Sequence, residues 1–265
     1  MLTLKEIVEI EKEQELIIIK KFIDSDKEHL CRSLSSKNVL FGINSLAEDR
    51  IIEAKQFFFN VSLLDVYIVL NFNDRFLDYG IPKVAFTLLS DNWKYLQNIY
   101  SKLRYNSFYI DDKTNKEIPI TMDEMVLQGE SAIWCNTVQF FMANDIQGVE
   151  RNLNIIETLT LPKLPKNQQE LKIDYEFYKA LLAKDKAKCE ALLEQLVSPK
   201  IHKKRNVNDI HAQYVSFPAL GYAKLAWRQG VEVEVKSSLI PKEILPIAPL
   251  DNYKIPYDFL KDEVK

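Results

Sequence analysis

An all-α fold follows from three features of this sequence. Only 6 of its 265 residues are glycine, and sheets joined by tight turns depend on glycine at those turns. Apolar residues recur three and four apart through most of the chain, as one face of a helix requires. Similar helix–turn–helix stretches return at an interval of forty residues. That is the mark of stacked antiparallel helical hairpins, tetratricopeptide-like in the second half. A chain that is 47% hydrophobic and 28% charged has the composition of a folded globular domain.

Lys5 to Phe22 reads as the first helix, with Ile7, Ile10, Leu16 and Ile17 as a partial apolar stripe. Glu9, Glu11, Glu13 and Glu15 sit at spacing two, which spreads them around a solvated surface. Asp24 or Ser25 caps a second helix through Leu34. A loop with Gly42 follows, and Asn44 or Ser45 starts a long third helix. From Phe57 to Leu70 that helix is apolar on nearly every side, as a central core helix or a membrane span would be. The run is interrupted by Asn60, Ser62 and Asp65 and is shorter than the ~20 residues a span needs, so it is expected at the centre of the core. Gly80-Ile81-Pro82 opens a helix to Leu89. Asp91 then caps one carrying Trp93, Leu96, Ile99, Tyr100 and Leu103.

The helical period lapses from Tyr105 to Thr121, so a long loop or small hairpin is expected there. The chain is read as one domain, 1–265, divisible into halves 1–105 and 121–265 joined by the loop 106–120. In the second half, Phe140-Phe141-Met142-Ala143-Asn144-Asp145 and Ala180-Leu181-Leu182-Ala183-Lys184-Asp185 each end one helix and cap the next. Leu88-Leu89-Ser90-Asp91 is a degenerate third copy. The basic run Lys200-Ile201-His202-Lys203-Lys204-Arg205 reads as a solvated linker, since no aromatic residue interleaves with it as a single-strand-binding surface would want.

The last helix starts after Ser216 with Pro218 in its first turn, where a missing N–H costs nothing. Phe217, Leu220, Lys224 and Trp227 share one face, and the Lys224 stem is expected to snorkel. Gly230 supplies a left-handed stop. Val231, Val233 and Val235 then alternate with Glu232, Glu234 and Lys236, as an extended segment covered on one face would. Pro241, Pro246, Pro249 and Pro256 follow among Ile240, Ile244, Leu245, Ile247, Tyr253, Tyr257 and Phe259. A tail that apolar and Pro-rich is expected to dock on the body of the domain.

No catalytic, metal or cofactor pattern occurs. The chain has three histidines and three cysteines, and none falls in an H-E-x-x-H, G-x-S-x-G or P-loop setting. Cys31, Cys135 and Cys189 are far apart and odd in number, which fits a reduced cytoplasmic protein. The opening MLTLKEIVEIEKEQEL is too acidic for a secretory signal. A net charge of −3 offers no general attraction to nucleic acid.

The run Ser216-Phe217-Pro218-Ala219-Leu220-Gly221-Tyr222, then Lys224-Leu225-Ala226-Trp227, Leu239-Ile240-Pro241, Leu245-Pro246 and Tyr257-Asp258-Phe259-Leu260 resembles the C-terminal part of the immunity protein 49 family. The resemblance is clearest from about Ala180 onward. It implies a helical bacterial protein that neutralises a cognate polymorphic toxin by binding it, with no turnover and no cofactor. The partner is then a cognate toxin protein, with neither nucleic acid nor membrane involved. A helical-repeat adaptor for a cellular protein or peptide is the alternative, and a hydrolase assembled only in three dimensions is the third reading. The densest carboxylates outside a regular helix face flank the long loop: Asp111 and Asp112, then Asp123, Glu124 and Glu130. They are the expected partner-binding residues, because binding residues concentrate on loops and an acidic patch speeds encounter with a basic partner. The bland role for Asp123 and Glu124 is to complement a helix start.

Overall fold

The computed structural model describes residues 2–111, 113–206 and 208–261. Three long helices come first: α1 (Leu4–Phe22), α2 (Lys27–Ala47) and α3 (Ile51–Phe72). Thr3 and Glu6 close a capping box at the start of α1, and Asp26 accepts from the His29 N–H at the start of α2. The cap therefore lies two residues beyond Asp24 and one beyond Ser25, the two positions expected. α2 also runs on well past Leu34, through Gly42 and the Asn44-Ser45 pair read as a loop and a helix start. The reason is packing. A Cβ on Gly42 would lie 2.6 Å from Phe58 Cε1, so the glycine is where α2 presses against α3. The chain turns instead at Asp49, which has φ +54°, and the Arg50 N–H returns to the Ser45 carbonyl at 2.8 Å.

α3 occupies the centre, as its composition requires. Phe58, Val61, Ser62, Leu64 and Val69 on several sides of it are all buried. It packs against α2 and against α4 (Ile81–Leu89), which begins just after Gly80. α5 (Leu96–Lys102) follows. Its start is held by Asn92, whose Oδ1 accepts from the Tyr95 and Leu96 N–H groups at 3.3 and 3.1 Å. Asp91, expected as that cap, turns inward instead.

Two antiparallel strands come next, β1 (Asn106–Ile110) and β2 (Glu117–Thr121). Helices then resume with α6 (Met122–Leu127), α7 (Ala132–Ala143), α8 (Ile146–Ile155), α9 (Lys172–Leu182), α10 (Lys186–Val197), α11 (Pro199–Arg205), α12 (Asp209–Ala212) and α13 (Phe217–Arg228). A π turn at Ile156–Thr160 and short 3-10 turns bridge α8 to α9. The α7–α8 and α9–α10 turns share one geometry. Asn144 and Lys184 both have φ +56°. Asp145 and Asp185 each return an N–H to the carbonyl five residues back at 2.9 Å. Each then caps the next helix through its carboxylate, at 2.9 and 3.0 Å. Asp91, in the degenerate third copy, shares the left-handed φ of +56° but not the cap.

Two buried ionic centres tie these helices together. Asp91, 1% exposed, meets the Lys55 ammonium at 2.7 Å and that of Lys224 at 2.8 Å. Lys224, also 1% exposed, further donates to the carbonyls of Ile244, Leu245 and Pro246 at 2.7, 3.1 and 3.0 Å. It does not snorkel. Burial pulls its pKa down to about 8, against the opposing pull of Asp91. In the second centre Arg205 grips Asp174 with two bonds of 2.6 and 2.9 Å, and the Tyr222 hydroxyl donates to the same carboxylate at 2.5 Å. The basic run is thus the helix α11, not a linker, and its last residue is part of the core.

After Gly230, with φ +76°, the chain crosses the body with only two single 3-10 turns among the described residues, Lys242–Ile244 and Asp258–Leu260. Ile240, Ile244, Leu245, Tyr257 and Leu260 are buried. Lys55 donates to the Ala248 carbonyl at 2.7 Å, and the Tyr253 hydroxyl donates to that of Ser90, also at 2.7 Å.

Candidate partner-binding arm

The hairpin β1–β2 is the sole sheet among the described residues. Its register pairs Asn106 with Thr121 and Ile110 with Glu117. Asp111 closes the tip: its carboxylate accepts from the Thr114 hydroxyl at 2.6 Å and the Lys113 N–H at 3.1 Å. Those bonds to Thr114 and Lys113 hold its pKa below the ordinary carboxylate value. Asn115 takes the left-handed position, φ +52°. At the base, Thr121 and Glu124 form a capping box for α6, and bonds to Thr121 lower the Glu124 pKa. Asp123 meets Arg104 Nε at 2.7 Å, while Arg104 also reaches Gln139 Oε1 at 3.0 Å. Glu130 is exposed, in the turn that follows Gly129.

The five acidic positions therefore do not form one cluster. Asp111 stands at the tip and Asp123 and Glu124 at the base, about 17 Å apart along a five-residue strand. Asp112 lies outside the described residues. Asp111, Asp123 and Glu124 each also have a local structural partner. In charge, the stretch 106–130 still carries six carboxylates against two lysines. Its net −4 exceeds the −3 of the whole chain, so the remainder is slightly basic.

The arm also exposes apolar side chains. Phe108, Tyr109 and Ile110 are 53%, 52% and 55% exposed. The signal was present in the run Ser107-Phe108-Tyr109-Ile110, which gives apolar residues to both faces of a strand too short to be covered on both. The base of the arm is fixed to the body. The Asn73 side chain, at the left-handed end of α3, bonds both the N–H and the C=O of Asn106, at 2.7 and 2.6 Å. Arg75 reaches the Ser107 hydroxyl at 3.0 Å and lies 5.9 Å from the centre of the Tyr105 ring. The Tyr105 hydroxyl donates to Asp78.

Among the described residues no group of three or more His, Cys, Asp or Glu could hold a metal ion. No helix among them is long and apolar enough to cross a membrane. The three cysteines are buried and unbridged, with burial pushing the Cys31 thiol up to about 12 and that of Cys189 to about 11. A cavity of about 650 Å³ lies between the end of α2 and the tail around Val235 to Glu243.

No curated protein and no solved structure matches the chain. Residues 121–244, from the base of the arm through α13 into the tail, match the model of the family described as Immunity protein 49. This is the family that the C-terminal pattern of Pro, Gly and apolar positions resembles, and the matched region carries both repeated turns, the Asp174–Arg205 centre and Lys224; over 121–244 the chain is similar to the immunity protein 49 family.

Proposed function

We propose that the protein is a cytoplasmic immunity protein that binds one cognate secreted toxin domain and blocks it stoichiometrically, without turnover. The family match over residues 121–244 carries this reading. The contact is assigned to the arm and its base, residues 106–130. Asp111, Asp112, Asp123, Glu124 and Glu130 supply negative potential there, and Phe108, Tyr109 and Ile110 supply exposed apolar area. Interface cores are enriched in aromatic residues and rims in polar ones, and an acidic rim steers a basic partner. Many toxins that attack nucleic acid are basic because their substrate is a polyanion.

The test is co-expression with the toxin domain encoded by the adjacent reading frame. Wild type should restore growth and co-purify with the toxin at one to one. The variant with Asp111, Asp112, Asp123, Glu124 and Glu130 changed to Asn or Gln should bind more slowly and with a flatter salt dependence. Glu124→Gln preserves the capping box, so folding is retained. Failure of the wild type to bind or protect would overturn the immunity reading and leave the adaptor reading.

A further inference from the structure

We propose that the outer edge of β1 receives an extended strand of the toxin, so that the arm becomes a three-stranded sheet in the complex. This rests on the immunity reading and specifies how the contact is made.

The hydrogen-bond parity of the hairpin settles which edge is open. The Asp111 N–H donates to the Lys116 carbonyl, and the Met122 N–H to the Tyr105 carbonyl. Bonded and non-bonded pairs alternate along an antiparallel ladder, so Ser107 and Tyr109 face β2 while Asn106, Phe108 and Ile110 face away from it. On the β2 side the outward positions are Glu117, Pro119 and Thr121. Pro119 has no N–H to offer, and the Thr121 N–H is taken by Glu124 Oε2 at 2.7 Å. That edge is closed in the way natural sheets close edges, with a proline.

The β1 edge is treated differently along its length. At Asn106 the outward N–H and C=O are both met by the Asn73 amide, which acts as one residue of a neighbouring strand. At Phe108 and Ile110 the same groups have no hydrogen-bond partner among the described residues. The pattern begun by Asn73 stops short with two positions open. These two residues carry no charge, proline or bulge, and with Tyr109 they are more than half exposed. An exposed apolar edge is an aggregation hazard that folded proteins avoid, unless it serves strand addition.

The occupant follows from charge and area. A second copy would bring a −4 arm against an identical −4 arm. The open edge is only about three residues long, far below the ~1,000 Å² that a stable dimer needs. A toxin strand with basic flanks complements the charge and can add contacts beyond the edge.

Amide hydrogen exchange on the wild type with the catalytically inactivated toxin domain is the primary test. The Phe108 and Ile110 amides should exchange freely in the isolated protein and become protected in the complex. Tyr109, already in the ladder, should change little. The variant F108P/I110P removes both outward donors and leaves the ladder intact, as Pro119 does opposite. It should weaken binding about ten- to a hundred-fold beyond F108A/I110A, which removes the side chains and keeps the donors. A wild-type complex in which both amides still exchange freely overturns strand addition and leaves the immunity reading standing. So does an F108P/I110P variant that binds as tightly as F108A/I110A. Protection that appears in the protein alone on raising its concentration assigns the edge to a second copy and overturns the proposal. A wild type that neither binds nor protects removes the immunity reading, and the toxin strand with it.

Discussion

The tail after Gly230 has almost no regular structure among its described residues, yet its backbone is anchored to the body at several points. Carbonyls at 244, 245, 246 and 248 accept from two buried lysines, and Gln56 bonds both the N–H and the C=O of Lys254, at 3.0 and 2.9 Å. The arm is the reverse: two regular strands with good register, mostly exposed, and with open backbone groups at Phe108 and Ile110. Both regions use the same device, an amide side chain (Gln56 or Asn73) that pairs like a strand. In the tail it is one anchor among many. In the arm it covers one position and leaves two. Regularity is therefore a poor guide to which part of this molecule is fixed. The destination of each backbone N–H and C=O is the better one.

The strongest way to break this contrast is to attack the tail's anchor. Asp91→Ala would leave the Lys55 and Lys224 ammonium groups buried without a counter-charge, which costs about 3–5 kcal/mol. In a chain of this size that lowers the melting temperature by roughly 10 °C. A fall of less than about 3 °C in a circular-dichroism melt would mean that both lysines can reach water, and the tail would not be held as described.

Lys224 gives a second test with a definite sign. Its folded pKa of about 8 lies below the 10.5 of an ordinary lysine. Between these values the unfolded chain binds the extra proton, so the penalty of burying the charge is complete below pH 8. It is relieved as pH rises toward 10.5. The stability of wild type relative to Lys224→Met should therefore rise across that window, by at most about 1.4 kcal/mol per pH unit. A flat difference in urea melts at pH 8, 9 and 10 would contradict the buried charge.

Tyr253→Phe removes a hydroxyl that donates to the Ser90 carbonyl and accepts from the Leu250 N–H at 3.0 Å. The loss should be about 1–2 kcal/mol. Phe108→Ser and Ile110→Ser, in the arm, should change stability by no more than about 0.5 kcal/mol. If either arm variant cost as much as Tyr253→Phe in the same melt, the arm would be packed and its apolar residues would not be free for a partner.

How far the sequence could be read depended on how far away each residue's partner lies. The helices, the left-handed stop at Gly230 and the lapse of periodicity at the arm are local, and they were legible. So was the central place of α3, because apolar residues on all sides leave a helix nowhere else to go. The α2–α3 boundary was not, since Gly42 looks like a loop glycine until Phe58 is seen against it. Asp91 looks like a helix cap because its partner Lys224 lies 133 residues away. Arg205 looks like surface charge because Asp174 lies 31 residues before it and is reached only through the fold. For the arm, charge drew attention to residues spread from tip to base. The unpaired backbone edge depends on register, which periodicity does not supply.

The Tyr257 hydroxyl donates to Glu15 and accepts from Asn38, which in turn bonds Asn60 at 2.9 Å. This joins α1, α2 and α3 through a residue 242 positions from Glu15. Helical proteins fold quickly when their contacts are local, and loop closure over long separations slows them. Here the first three helices can form early, but the polar seam between them stays incomplete until residue 257 arrives. During synthesis the seam cannot close before residue 257 is made, and a nascent chain still short of it carries Asn38 and Glu15 with that partner missing.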